Sequence, residues 1–394
     1  MTAPMISTDN IRELAAISDG FRRACVLKGA FSDDFLSAAD IARIFRAVSA
    51  DEGRLSCLRA YTETAQRPDL QQKLFRDPPE TDDLETWGRS RFGGTRFGIV
   101  LDRPPLENDG FEARLSEVLT GIYDMAGTAF GAAEPHIFIG DYGYSPFGAH
   151  HDQEVGRILH FHLGPGVKQM YIWDEETYVA ATGGTMACFD PGAILDRATR
   201  YDIGPGDIMV LPTEGFHVGY TPEFSIGFAL CLMDADDGDT LRRAADQALA
   251  HALEGMETGS EPKAPGPDGN GLQVTVDISR ALWIEGARAA SNLSLVPPPP
   301  PRHALPPEEA KLARLGRFPV TYRERGDEAV LAGRGHSLEL PPAPALAALA
   351  ERLNAGETMT LAGMTEILTA DFSEDAAGYI AGELWAWHAV APVS

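Results

Sequence analysis

GYSPFGAHHDQEV, residues 143–155, and GDIMVLPTEGFHVGY, residues 206–220, decide the fold and point to the chemistry of this chain. In the first, His150 and Asp152 are separated by one residue. On a β-strand, where side chains alternate between faces, the two point the same way and His151 points the other way. In the second, His217 follows a strand-length apolar run and a turn. Two imidazoles and one carboxylate converging on one side of a metal are the facial set that suits Fe(II), because three coordination positions stay open for a co-substrate and O2. A His-x-Asp pair occurs by chance in many chains. Its context, a Gly-rich turn before the pair and His217 across the same expected barrel, favours a metal over histidines satisfied by hydrogen bonds in a core.

Around these stretches, from His136 onward, short apolar runs are separated by Gly and Pro. IFIGDYG, RILHFHL, KQMYIW, GTMACF, DIMVLP and SIGFALCLM each have the length of a strand, and the turn GPG at Gly164 to Gly166 is expected to close a hairpin. Many short strands at regular spacing predict a mainly β fold with helical additions, an antiparallel barrel or double-stranded β-helix of the cupin jelly-roll kind, with a ligand site in its mouth. From Thr8 to about Ala132 the pattern is mostly helical. Ser37 reads as the cap of the amphipathic helix AADIARIFRAV, and FEARLSEVLTGIYDMAGTAF has helical spacing. RACVLKGAF and TRFGIVLD read as strands at a sheet edge, and this part of the chain is expected to support the barrel rather than carry chemistry.

After Met233 an acidic segment leads into a helix, SEPKAPGPDGNG reads as a flexible break, and VDISRALWIEGARAASNL is a second helix. The two helices are expected to pair, and to serve dimerisation. Pro297 to Pro301 form a polyproline stretch, a stiff spacer marking a boundary. The expected units are therefore a barrel over residues 1–235, a helical dimerisation region over 236–301 and a C-terminal α+β domain over 302–394. In the last, FPVTYRERGDEAVLAGRGHSLELP reads as two strands around a turn. Helices follow in ALAALAERLNAG, from Leu361 to Leu368 and in FSEDAAGYIAGELWAWHAV, which together suggest a winged-helix-like shape. Acids outnumber Lys and Arg there, so nucleic acid is not the expected partner.

With 394 residues the chain is long enough for two or three units, and 44% hydrophobic with 23% charged residues is an ordinary globular composition. The formal net charge of -25 argues against a phosphate-binding surface and makes a basic protein or peptide the more natural partner. Cys25, Cys57, Cys188 and Cys231 show no paired spacing and are expected to be reduced. No signal-peptide pattern and no membrane-length apolar run is found, so a cytoplasmic, membrane-free protein is expected.

FGAHHDQE, GPGVKQMYIW, GDIMVLPTEGFHVGY and SIGFAL resemble the JmjC-type 2-oxoglutarate-dependent oxygenases, and within them the bacterial ribosomal-protein hydroxylases. Gln153 after the His-x-Asp and Gly215, Phe216, Gly219 and Tyr220 around His217 match that group. The resemblance implies a JmjC barrel, a helical dimerisation region and a winged-helix-like end. It also implies Fe(II) on His150, Asp152 and His217, with 2-oxoglutarate as co-substrate. Lys168 is the basic residue that would hold the distal carboxylate, and Ser225 the hydroxyl that would help it. His160, on the expected face of Ile158 and His162, is a further candidate for the co-substrate pocket, with a core role as the alternative. Asp141, Tyr142, Tyr144 and Glu154 flank the ligands and are candidates for binding a cationic substrate side chain.

The activity implied is hydroxylation of a protein or peptide side chain with O2, yielding succinate and CO2. Met170 stands where the family commonly has an aromatic residue, and the segment from Asp152 to Lys168 is slightly longer than in the ribosomal hydroxylases. Both departures lie near the pocket. They leave arginine or histidine of a ribosomal protein and a natural-product precursor peptide as alternative targets. Two other readings stand beside this one: a non-catalytic cupin acting as a ligand-sensing regulator or adaptor, and a cupin enzyme whose other divalent metal recruits His151, His160 or His162.

Overall fold

Side chains alternate along a strand, and on the longer strands here both alternating sets are buried. Between Arg157 and Pro165, Leu159 and Phe161 belong to one apolar interior, while Ile158 belongs to another and His160 lines a cavity within it. The computed structural model describes residues 6–62, 65–127, 130–152, 156–212, 215–234, 237–254 and 277–393.

The chain up to Ala126 supplies helices α1 (Thr8–Ile17), α2 (Ala38–Ser49), α3 (Pro68–Arg76), α4 (Leu84–Arg91) and α5 (Asp109–Ala126). Among them run strands β1 (Cys25–Leu27), β2 (Leu58–Thr62), β3 (Ala65–Gln66) and β4 (Phe97–Asp102). Ser37 caps α2 as expected: its hydroxyl accepts from the Asp40 N–H at 3.2 Å, and the Asp40 carboxylate accepts from the Ser37 N–H at 3.1 Å. Asn108 caps α5, and Gly127, in the left-handed conformation, ends it.

The following segment holds β5 (Ala132–Gly140), β6 (Gly143–Tyr144), β7 (Ala149–His150), β8 (Arg157–Pro165) and β9 (Lys168–Trp173). After α6 (Glu175–Thr182) come β10 (Ala187–Cys188), β11 (Thr199–Ile203), β12 (Asp207–Pro212), β13 (Phe216–Thr221) and β14 (Ser225–Met233). They form two antiparallel sheets. The larger runs β1-β12-β8-β14-β5-β4-β2-β3, and the smaller runs β10-β7-β13-β9-β11 with β6 beside β13. Helices cover the outer face of the large sheet, where Phe111 of α5 meets Phe228 edge to face at 5.3 Å. On its inner face Ile158, Met209, Leu211 and Ala229 meet Met170 and Ile203 of the small sheet. Truncating a side chain buried like Phe161 or Phe228 to Ala would cost about 3–5 kcal/mol.

Two expectations about these sheets need correction. RACVLKGAF does give an edge strand, but β4, from TRFGIVLD, is interior because β2 and β3 extend the sheet beyond it. LRAYT, which forms β2, has one β-branched residue and no flanking turn signal, so its pattern hid it. The second correction concerns Gly164 to Gly166, which close no hairpin: β8 lies in the large sheet and β9 in the small one. Pro165 has no N–H to continue the ladder, and the Pro205 ring stands 2.5 Å from where a Cβ on Gly164 would be. The turn therefore carries the chain from one wall to the other.

Helices α7 (Asp237–Glu254) and α8 (Ile278–Ser291) pair through Ala244, Ala248 and Ala281. The SEPKAPGPDGNG break lies outside the described residues. Pro297 to Pro301 do not form a free spacer. They lie on the C-terminal unit, where His336 Nε2 is 2.7 Å from the Pro299 carbonyl and His388 Nε2 is 3.2 Å from that of Pro300. That unit contains β15 (Leu312–Arg314), β16 (Thr321–Arg325), β17 (Glu328–Gly333), β18 (His336–Leu340), α9 (Pro344–Asn354), α10 (Leu361–Leu368), α11 (Glu374–Ala386) and β19 (Val390–Pro392). Three strands replace the expected two, since Gly326 and Gly335, both at positive φ, each allow a tight turn. Leu331, Leu346, Leu349, Ile380 and Leu384 give the unit a core of its own. Among the described residues, no helix is long and apolar enough to cross a membrane.

Candidate functional site

Between the sheets lies a cavity of about 800 Å³. His150 ends β7 and pairs directly with His217 on β13, so the ladder sets the two imidazoles side by side, 4.6 Å between ring centres. Asp152 lies two residues beyond His150, past the end of the strand rather than within it. Its carboxylate is 3.4 Å from His150 Nε2 and 3.5 Å from His217 Nε2. One ligand atom from each of the three lies within 4.8 Å of the others. His151 is turned away, its ring 5.6 Å from that of Phe216. His150 Nδ1 is 3.0 Å from the Gly148 carbonyl, a contact that directs Nε2 toward the other two groups.

The electrostatics of the trio follow from burial and mutual contact. Burial pulls His150 down, but its hydrogen bonds to Asp152 and the Gly148 carbonyl outweigh this and raise its pKa. His217 is pushed down to about 4, first by burial and then by the charge of His150. Burial pushes Asp152 up, yet the two imidazoles win and hold its carboxyl below the usual range. No Lys or Arg among the described residues forms an ion pair with Asp152, which is the condition a cation needs.

Lys168, the first residue of β9, is buried in the wall of the same cavity. Its ammonium donates to the Tyr142 hydroxyl at 3.2 Å and lies 5.0 Å from the centre of the Phe138 ring. Among the described residues it has no carboxylate partner. Gly219 makes room for it, since a Cβ there would stand 2.9 Å from Lys168 Cε. His160 lines the same cavity, as does Met170, two residues beyond Lys168 on β9.

The remaining candidates are divided by the fold. Tyr142 stands at the lysine end rather than flanking the ligand trio. Asp141 does not line the cavity: it accepts from the Phe97 N–H at 3.0 Å and pairs with Arg89 at 3.1 Å, which consumes its charge. Tyr144 also lies outside the lining and packs on Tyr220 at 4.7 Å. Ser225 is buried on β14 but is not among the lining residues. Gln153 and Glu154 lie outside the described residues.

Among the lining residues that sequence reasoning missed is a charged and polar trio of Arg59, Asp102 and His136. Asp102 on β4 sits opposite His136 on β5, with its carboxylate 3.0 Å from His136 Nδ1 and 2.7 Å from an Arg59 nitrogen. The hydrogen bond from His136 holds Asp102 below the usual carboxylate range against burial. No local motif announces this trio, because its members come from three strands. The only cue was period-two alternation in TRFGIVLD, which leaves Asp102 on the face of Val100. A second group of metal-ligand type, Asp109, Glu112 and His388, also has its ligand atoms within 4.8 Å of one another. It joins α5 to the C-terminal unit, and Arg302 and Arg334 pair with its two acids.

The chain shares its fold with YcfD, a ribosomal oxygenase from Escherichia coli. One YcfD crystal structure gives a TM-score of 0.52 at 16% identity, covering 96% of this chain and 97% of that one. The YcfD structure in complex with cobalt and 2-oxoglutarate gives 0.50 at 16% identity, with the same coverage. No family model matches the chain, and no curated protein matches it.

Proposed function

We propose that this protein is an Fe(II)- and 2-oxoglutarate-dependent oxygenase that hydroxylates a side chain of a protein or peptide. The observation that carries the reading is one cavity lined by a ligand trio and by a buried lysine, where among the described residues the trio has no Arg or Lys partner and the lysine no carboxylate. The donor set fits the metal, two imidazoles and one carboxylate leaving a face open. The cation fits a dicarboxylic oxo acid. The likeness to YcfD, whose structure holds cobalt and 2-oxoglutarate, supports the same reading. In these terms the two facing sheets are a JmjC-type jelly roll and the C-terminal unit is winged-helix-like.

His150, Asp152 and His217 would hold the iron, and Lys168 with Tyr142 the distal carboxylate of 2-oxoglutarate. When bound, iron and oxo acid supply activation of O2 for oxidation of a C–H bond, with succinate and CO2 as co-products. The protein's own part is orientation and dryness. The Gly148 carbonyl fixes the His150 ring, while Phe138, Ile158, Met170, Leu211 and Ala229 wall the cavity with apolar surface. A basic segment suits the charge of -25 as substrate, and pairing of the α7–α8 helices of two copies suits the exposed Leu241, Leu249 and Ile278.

Anaerobic titration of the protein with Fe(II) and 2-oxoglutarate tests the proposal. A visible charge-transfer band that weakens strongly in Lys168→Ala is expected. Metal binding without any band would sink it.

A further inference from the structure

The charged and polar trio at the β2-β4-β5 end of the large sheet opens on the same cavity as the ligand trio. Arg59, Asp102 and His136 all line it. Arg59 pairs with Val100, Val100 with Phe138 and Asp102 with His136, so alternate residues of three neighbouring strands share one face. The Arg59 guanidinium carbon lies 5.1 Å from the centre of the Phe147 ring, and that ring is 5.9 Å from the ring of His150. One aromatic side chain therefore separates this trio from a candidate metal ligand.

The contacts within the trio leave part of it unspent. Asp102 is engaged on both oxygens, one 2.7 Å from an Arg59 nitrogen and the other 3.0 Å from His136 Nδ1. The charges of Asp102 and Arg59 cancel. Asp102 and the Tyr61 hydroxyl take only part of the guanidinium's N–H groups, and because its Nε is buried, a terminal nitrogen is what a guest would meet. The hydrogen that His136 directs at Asp102 sits on Nδ1, which makes Nε2 of the neutral ring an acceptor. Among the described residues Nε2 has no partner, and unlike His160 Nε2 it is not sealed from solvent.

We propose that the substrate residue entering this cavity carries a primary carboxamide, as asparagine and glutamine do, with its carbonyl on Arg59 and its NH2 on His136 Nε2. The inference rests on the oxygenase reading above and names the side chain which that reading leaves open. A primary amide presents C=O and N–H from one edge, which suits a donor and an acceptor held on either side of one carboxylate. A trans peptide group points them apart. A cationic side chain finds no unspent acid at this end, because Asp102 is engaged on both oxygens and Glu134 faces Arg103 at 3.9 Å. A carboxylate would meet the lone pair of Nε2. The basic segment proposed above flanks this residue outside the cavity.

The test presents a display library of short random peptides to the full chain loaded with Co(II) and 2-oxoglutarate. Selection is expected to enrich Asn or Gln at one position. A selected peptide, resynthesised, should bind Arg59→Met about ten-fold or more weakly than wild type, the loss of one hydrogen bond to a charged group, while its leucine analogue binds both proteins within about two-fold. Arg59→Lys keeps a charge for Asp102 but lacks the planar fork, so it should weaken the same peptide selectively, and it carries the test if the Met variant does not fold. His136→Phe should likewise weaken the peptide and spare the leucine analogue. Enrichment of Asp or Glu, of Arg, Lys or His, or of no residue type would overturn the inference. So would no change in Arg59→Met or His136→Phe, or equal weakening of peptide and leucine analogue, which leaves these residues a structural role only. The charge-transfer band of Fe(II) with 2-oxoglutarate keeps the two readings apart: a protein without the band fails as an oxygenase, and one that shows it but selects no carboxamide fails only here.

Discussion

Two clusters of imidazoles and carboxylates stand in this protein, and they differ in how their acids are neutralised. His150, Asp152 and His217 face each other across a cavity, whereas Asp109, Glu112 and His388 lie between α5 and the C-terminal unit. In the second, Arg334 is fully buried against Glu112, Arg302 pairs with Asp109, and His388 Nδ1 is 2.9 Å from Asp109. Proximity of acids and imidazoles does not by itself make a metal site. What separates the two is whether the protein has already supplied the positive charge: among the described residues no Lys or Arg pairs with the carboxylate of the first group, whereas the second uses its carboxylates to hold two parts of the chain together.

The comparison is most directly broken at Asp152. Asp152→Ala should lower Co(II) affinity by at least about 100-fold, more than loss of a supporting contact would, and leave the thermal midpoint of the metal-free protein in place. Unchanged affinity in a calorimetric titration would remove the distinction between the groups. Arg334→Met should do the reverse, since it strands Glu112 in the interior: a loss of about 3–5 kcal/mol in urea unfolding, with Co(II) affinity retained. Replacing both Arg334 and Glu112 by apolar residues should recover much of that stability.

The pH response sharpens the same contrast. Burial pushes the Asp109 carboxyl up, but the His388 hydrogen bond and Arg302 outweigh it, so its folded pKa lies below the unfolded value. A depressed carboxylate stabilises the fold fully above the unfolded range, roughly pH 4, and that contribution is lost as pH falls through the folded value. The urea midpoints of wild type and Asp109→Asn should therefore differ at neutral pH and converge in acid. The smallest effect belongs to Arg317 and Glu117, an exposed pair joining the same two parts of the chain at 2.8 Å. Arg317→Ala should change stability by no more than about 1 kcal/mol, and less at high salt.

Much of this contrast was legible before any coordinates. His150, Asp152 and His217 could be named because two of them are one residue apart and the third follows a clear strand, and the ladder does bring them together. The start of α2 followed from Ser37 as its cap, and the presence of helices at α5 and α10 from local periodicity. What stayed hidden depended on long-range pairing. Nothing near Arg59, Asp102 or His136 says that their strands stand side by side, and nothing in GPG says that its flanking strands part company. Asp141 illustrates the opposite error: its neighbours in sequence suggested the cavity, but its contacts are Arg89 and the Phe97 backbone.

The crossing at Gly164 to Gly166 sets a length as well as a path. It delivers Lys168 as the first residue of β9, and His217 is paired with Ile172 four residues further along that strand. Four residues of strand measure about 13 Å. Because β9 is hydrogen-bonded on both sides, to β11 and β13, this interval cannot stretch to suit a guest. On the proposed oxygenase reading, that interval sets the length of oxo acid that reaches from the ligand trio to Lys168. No exchange of side chains would recalibrate it, and adding one residue before Ile172 would turn Lys168 to the opposite face.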